Sequence, residues 1–162
     1  MRRYAFLFVA VFAGLMLRAS PALCLEGLHF TNKLGTGTTF LVSNFLRDQY
    51  NESIEHFQAA VYDLNDDSID EVFLRGLNCF QDDRFCQYII LGEQDGKILL
   101  ISRINARFIM LADTSTNGVR DLLVFKDRMN DYKEERFIWN SEVAQYVSLQ
   151  KTQPEQDQKE RL

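Results

Sequence analysis

The stretch Tyr62–Phe73, YDLNDDSIDEVF, places oxygen-bearing side chains at alternating positions and then turns apolar. Counted from Asp63 as the first position, Asp63, Asn65, Asp67 and Glu71 stand at one, three, five and nine. Ca²⁺ is a hard cation that takes roughly six to eight oxygens at short range. Alternating residues in a tight loop can aim their side chains at one point, and the backbone carbonyl of Ile69, near position seven, offers a further oxygen. The competing reading is a polar turn, because Asx side chains readily bond their own backbone. An EF-hand is excluded on two counts: Leu74 stands at position twelve where a bidentate Glu is needed, and the flanks read as strands.

Fifty residues later the chain reads ADTSTNGVRDLLVF. Asp113 falls where Asp63 was, Ser115 where Asn65 was, and Asn117 where Asp67 was. Gly118 replaces Ser68, Val119 replaces Ile69, and Asp121 replaces Glu71. An apolar strand follows each acidic ninth position, so 62–74 and 112–124 read as two loop-strand repeats, the mark of an internal duplication.

These segments resemble the calcium loop of the FG-GAP and VCBS repeat families, D-x-N-x-D-G-x-x-D followed by a β-strand, which integrin-type β-propellers also use. The resemblance covers about a dozen residues in each copy. It implies Ca²⁺ ligation by Asp63, Asn65, Asp67 and Glu71, and a second, weaker site at Asp113, Ser115, Asn117, Val119 and Asp121. Two departures rank the copies. Ser68 stands where the family has a glycine free to take a positive φ, and the second copy carries only two carboxylates. Loop one is therefore expected to bind, and loop two to serve mainly as a structural turn.

No other cluster supplies catalytic chemistry. His29 and His56 show no ligand spacing, and the sequence contains no G-x-S-x-G, H-E-x-x-H or phosphate loop, so the reading is non-enzymatic. Cys79 and Cys86 flank FQDDRF, close enough to close a small disulfide loop in an oxidising compartment. Asp82 and Asp83 fall inside that loop and read as solvated.

The elements that must hold these loops follow from periodicity. TTFLVSNFLRDQY, 38–50, has Leu41 with Phe45 and Val42 with Leu46 on one helical face, with Thr38 or Thr39 as the cap and NES ending it. Residues 25–37 lack periodicity and are expected to wrap the surface. From Phe57 the period becomes strand-like, and Gln94-Asp95-Gly96 between apolar runs signals a hairpin. The segments RFIMLAD, DLLVFKD, ERFIWN and QYVSL supply further strands. The predicted fold is mainly β, antiparallel, either a sandwich or a two-repeat propeller-like unit, with one N-terminal helix. Phe108, Phe125, Phe137, Trp139 and Tyr146 fall on strands and read mostly as core.

The ends and the charge bound location and partner. MRRYAF, an eleven-residue apolar run and RASPALC have the layout of a secretory signal peptide over 1–24, with cleavage after Ala22 or Cys24. That leaves 138 residues, too few for a full propeller, read as a single domain over 25–150 with a disordered polar tail at 151–162. Arg2, Arg3 and Arg18 leave with the signal, so 15 basic residues face 23 acidic ones. Such a surface disfavours nucleic acid and anionic membranes, whose binding rests on Lys and Arg. The expected product is periplasmic or secreted, with no membrane span after signal removal. Its reading is an envelope-interaction domain stabilised by Ca²⁺, binding a protein or glycan. The alternative is an inhibitor or immunity protein that blocks a basic cell-envelope hydrolase.

Overall fold

The computed structural model describes residues 25–79, 85–126 and 134–149. The expected signal peptide, the Asp82–Asp83 pair and the polar tail lie outside the described residues.

Nine strands and one helix make the described fold, with strands β1 Glu26–Gly27, β2 Phe57–Tyr62, β3 Glu71–Gly76, β4 Cys86–Gln94 and β5 Lys97–Ala106. They continue as β6 Phe108–Thr116, β7 Val119–Phe125, β8 Glu134–Asn140 and β9 Gln145–Ser148, and the helix α1 spans Thr36–Tyr50. The protein is mainly β with a single helix, as the sequence predicts. Its strands form two antiparallel sheets, ordered β2-β3-β4-β5 and β1-β6-β7-β8-β9. Apart from β1, each sheet is a four-stranded meander in chain order. The two candidate loops occupy the same place in both, between the first and second strands of the meander.

Helix α1 begins two residues before the expected start. Gly35 is its N-cap without a side-chain bond, and the Thr39 hydroxyl donates to the Leu34 carbonyl at 3.3 Å, so neither threonine caps the helix. Its end follows Asx logic: Asn51 takes φ 54°, and the Asn51 and Glu52 N–H groups donate to the Arg47 and Leu46 carbonyls. Val42 and Leu46 bury fully against one face of the first sheet, beside Val72, Leu74, Ile89 and Leu91. The opposite face, with Phe73, Tyr88, Ile90 and Ile104, meets Ile109, Leu111, Leu122, Val124 and Tyr146 of the second sheet. The layers are therefore helix, sheet, sheet. Strand β3 lies between two apolar layers, which is why Val72, Phe73 and Leu74 are consecutive and all buried.

An irregular register between Ile90 and Leu91 inserts one extra residue in β5. Ile98 and Leu100 pack on the helix side, yet Ile104 and Ala106, of the same parity, pack on the sheet side. A bulge is what reverses the facing of an otherwise period-two strand. The hairpin expected at Gln94-Asp95-Gly96 is present, with Asp95 at φ 52° and Gly96 at φ 71° joining β4 to β5.

Residues 25–35 are more ordered than their lack of periodicity suggests. Glu26 and Gly27 pair with Leu111 and Met110 of β6, and Thr31 exchanges two backbone bonds with Ala59 of β2. This strap joins the first strands of the two meanders. At their last strands, Ser102 of β5 donates its hydroxyl to the Tyr146 carbonyl of β9 at 3.4 Å and accepts the Tyr146 N–H at 3.1 Å.

Candidate functional site

The first loop runs from Asp63 to Asp70, between Tyr62 and Glu71, which are paired across β2 and β3. Its fold is written by its Asx side chains. The Asp63 Oδ1 accepts the Asn65 and Asp67 N–H groups at 3.3 and 3.2 Å, and Oδ2 accepts Ser68 N–H at 2.8 Å. Asn65 Oδ1 accepts Asp67 N–H at 3.1 Å, and Asp67 Oδ1 accepts Ile69 N–H at 2.7 Å. Asn65 Nδ2 donates to Asp67 Oδ2 at 2.9 Å. Positions one, three and five are thus within hydrogen-bond reach of one another. Ser68 takes φ 69°, the conformation for which the resembled loops carry glycine, and Asp66 takes φ 58°.

Glu71 closes the loop from behind. It is 8 % exposed, and its Oε2 accepts the Leu64 N–H at 2.8 Å. Burial, which penalises the charged form, pushes its carboxyl up to about 7; the Asp67 and Asp63 charges push the same way, while the Leu64 N–H opposes them. The donor set is all oxygen, which suits a hard cation. The carboxylate oxygens already engaged by N–H groups keep further lone pairs for such an ion. Among the described residues, no group of three or more His, Cys, Asp or Glu forms a preassembled metal cluster. A cation at this loop would have to draw Asp63, Asp67 and Glu71 together.

The second copy folds differently. Thr116 pairs with Val119, so only Asn117 and Gly118 lie between β6 and β7, at φ 54° and φ 80°. That is the tight two-residue turn whose two positive φ angles suit Asn-Gly. Asp113 and Ser115 sit exposed in β6, Val119 and Asp121 lie in β7, and Asn117 donates its amide to the Trp139 carbonyl at 3.0 Å. The five positions do not converge on one point. Asp121 instead turns inward, 2 % exposed, and accepts the Thr114 hydroxyl at 2.6 Å.

Several residues that organise the site carry no spacing signal. The Arg120 N–H donates to the Leu64 carbonyl at 2.7 Å, joining the second copy to the first loop. Its guanidinium donates to the Ala112 carbonyl at 2.6 Å, to Glu26 at 3.2 Å and to the Tyr62 hydroxyl, which in turn donates to Glu26 at 2.6 Å. Tyr146 donates its hydroxyl to the Arg120 carbonyl at 2.6 Å. Burial, then the nearby Glu71 and Asp121 charges, raise the Tyr146 hydroxyl well above its usual range. The ninth-position carboxylates of both copies therefore lie around one tyrosine. Leu64 and Thr114 both stand at position two and both donate to position nine, Leu64 by its backbone N–H and Thr114 by its hydroxyl.

The cysteines differ from the disulfide expected in sequence. Cys79 and Cys86 are free thiols in this structure, brought side by side by the turn after β3, where Cys79 N–H donates to the Gly76 carbonyl at 3.1 Å. Burial pushes the Cys79 thiol up to about 12, helped by a hydrogen bond with the Cys86 side chain. Of the histidines, His56 is engaged: its Nδ1 lies 2.8 Å from Glu52 on the surface. Trp139 is half-buried and meets the Tyr146 ring edge-on, with centroids 5.6 Å apart.

No family model matches the chain, and no curated protein or solved structure matches it.

Proposed function

We propose that this chain is an exported, non-catalytic binding domain whose first loop, Asp63 to Glu71, takes Ca²⁺ and orders a surface for a protein or glycan of the cell envelope. In this reading 1–24 is the signal peptide, the Cys79–Cys86 bridge closes in the oxidising compartment, and the two meanders descend from one duplicated loop-strand unit. The observation that carries it is Ser68 at φ 69°: without glycine, the loop still takes the left-handed backbone of the calcium loops it resembles. Two further features support the reading. Glu71 is held buried against two other carboxylates, a repulsion that a bound dication would relieve. A cleft of about 260 Å³ along β2 reaches Tyr62, so a partner seated there would adjoin Asp63.

Asp63, Asn65, Asp67, Glu71 and the Ile69 carbonyl would hold the ion. Its chemistry there would be structural: neutralising the carboxylates and fixing the β2–β3 connection. The test is thermal melting of residues 25–162 in EDTA, Ca²⁺ and Mg²⁺, beside Asp67→Ala. Ca²⁺ at a hundred times its dissociation constant should add about 2.7 kcal/mol, a rise of several degrees that Mg²⁺ does not reproduce and Asp67→Ala abolishes. An unchanged melt at millimolar Ca²⁺ would sink the reading.

A second reading, an inhibitor of a basic envelope hydrolase, is favoured by the exposed carboxylates of Asp66, Asp67 and Asp70 beside the exposed Ile69. It predicts a 1:1 complex that survives EDTA, whereas the calcium reading predicts binding that chelation weakens.

A further inference from the structure

We propose that Cys79 and Cys86 form a clasp that closes before β4 docks on β3 and is shielded once the fold is complete. This rests on the bridge named above and adds its order of formation. Cys86 is 1 % exposed, in the core between the sheets, and Cys79 packs against that same core, half-buried. The last paired residues of β3 and β4 are Arg75 and Tyr88, so both sulfurs lie just beyond the ladder's end. Phe30 of the strap covers this end, its ring 5.9 Å from Tyr88 with the Arg75 guanidinium 4.1 Å from its centre. An oxidant approaching Cys86 must displace packed side chains, and Cys79 offers it only a half-buried sulfur.

The chemistry is thiol–disulfide exchange with a disulfide-bearing oxidant. The Cys79 thiolate attacks one oxidant sulfur and displaces the other as a thiolate, giving a mixed disulfide. The Cys86 thiolate then attacks the Cys79 sulfur and displaces the second oxidant thiolate. Two protein thiols are oxidised, one oxidant disulfide is reduced to two thiols, and the two protons pass to the released thiolates. Cys79 is the first attacker because it is the less buried of the pair.

In the closed fold this attack is slow for two reasons. A thiol raised to about 12 is thiolate far less often than an ordinary one. Higher intrinsic nucleophilicity returns part of that loss, leaving a deficit of roughly thirty- to sixtyfold. Restricted access slows the reaction further. In the unfolded chain neither brake acts, so the clasp belongs to the early stage of folding. Reduction of the closed bridge meets the same barrier in reverse.

The test uses the reduced chain 25–162, either native or unfolded in urea, mixed with oxidised glutathione at pH 7.5. Samples are quenched by alkylation at intervals and weighed by mass spectrometry. The unfolded chain should close its bridge at least about thirtyfold faster than the native one. A reduced chain without a cooperative melt would point the same way, since folding would then follow the clasp. Equal rates in the two states would overturn the gating and leave the bridge standing. Failure of both states to lose two thiols would overturn the bridge itself.

Discussion

The β2–β3 and β6–β7 connections start from nearly the same sequence pattern and end as different structures. The first spends eight residues, Asp63 to Asp70, between paired strands; the second spends two, Asn117 and Gly118. Asn-Gly can take two adjacent positive φ angles at little cost, so β6 and β7 pair again at their tip, Ser115 with Arg120 and Thr116 with Val119, beyond an irregular register between Leu111 and Ser115. Copy one lacks that pair: Asp66 and Ser68 are left-handed, and Asp67 between them is not. Its Asx carboxylates gather the backbone amides instead and keep the loop wide. What the copies share is behind the turn. In each, position two donates to a buried carboxylate at position nine, at 2.8 Å for Leu64 to Glu71 and 2.6 Å for Thr114 to Asp121. The shared device is a buried acid at the start of the second strand, and the wide loop is particular to the first copy.

Making the first connection like the second should have the largest effect. Replacing Asp63–Asp70 with Asn-Gly would preserve the Tyr62–Glu71 pairing but delete Leu64, a core residue, together with the carbonyl that accepts the Arg120 N–H. Losing a buried leucine and stranding a donor costs on the order of 4 kcal/mol, a fall in melting temperature of roughly 10–15 °C for a chain of this size. Any Ca²⁺-dependent rise should vanish with it. A variant that kept a Ca²⁺ response would move the ion elsewhere.

The buried acid of the first connection should also show in the response to pH. Glu71 is raised from 4.5 to about 7, so the folded state holds its proton more tightly than the unfolded chain does. Its contribution is complete below about pH 4.5 and is lost as pH rises through about 7, an interval worth about 3 kcal/mol. Asp63, Asp67 and Tyr146 are its titratable neighbours. In EDTA, urea midpoints should therefore decline from pH 5 to pH 8 in the parent, and Glu71→Gln should flatten this slope and raise stability at pH 8. A slope unchanged by Glu71→Gln would assign the titration to another group.

Much of the frame was legible in the sequence because it is written in local chemistry. The Asp95-Gly96 turn, the helix around Val42 and Leu46, and the strands of the second sheet follow from residue types within a few positions. The reach of the loops across the molecule was not. Arg120 binds Leu64, Tyr62 and Glu26, residues separated from it by more than fifty positions, and no periodicity encodes such contacts. The strap at 25–35 escaped for a related reason: β1 spans two residues and its second contact is a single bridge, too short for a repeating pattern. The turn expected of the second loop is closed by Asn117 and Gly118, whose adjacent positive φ angles make a two-residue hairpin connection.

The hydroxyl of Thr114 offers a smaller test of the shared device. Thr114→Val keeps the side-chain volume and removes the donor to Asp121, whose other oxygen, Oδ1, has no partner among the described residues. A buried carboxylate left short of a donor costs about 1–2 kcal/mol, which urea unfolding resolves. No loss would mean that water serves Asp121 equally well and that its bond to position two is incidental.

The finest contrast is one residue deep, Ser68 against Gly118 at the same position of the two copies. Both are left-handed, at φ 69° and φ 80°. A serine there is strained by about 1 kcal/mol, and glycine removes the strain while adding unfolded-state freedom. Ser68→Gly should therefore stabilise the apo domain by no more than about 0.5 kcal/mol, and should strengthen Ca²⁺ binding if the loop backbone is what the ion requires. The reverse change is informative because space does not enter it: no atom lies within 4 Å of where a Cβ on Gly118 would stand. Gly118→Ala should cost about 1 kcal/mol through backbone strain alone. If Ser68→Gly destabilises instead, the Asx network around Asp63 holds Ser68 left-handed without strain, and copy one owes nothing to a missing glycine.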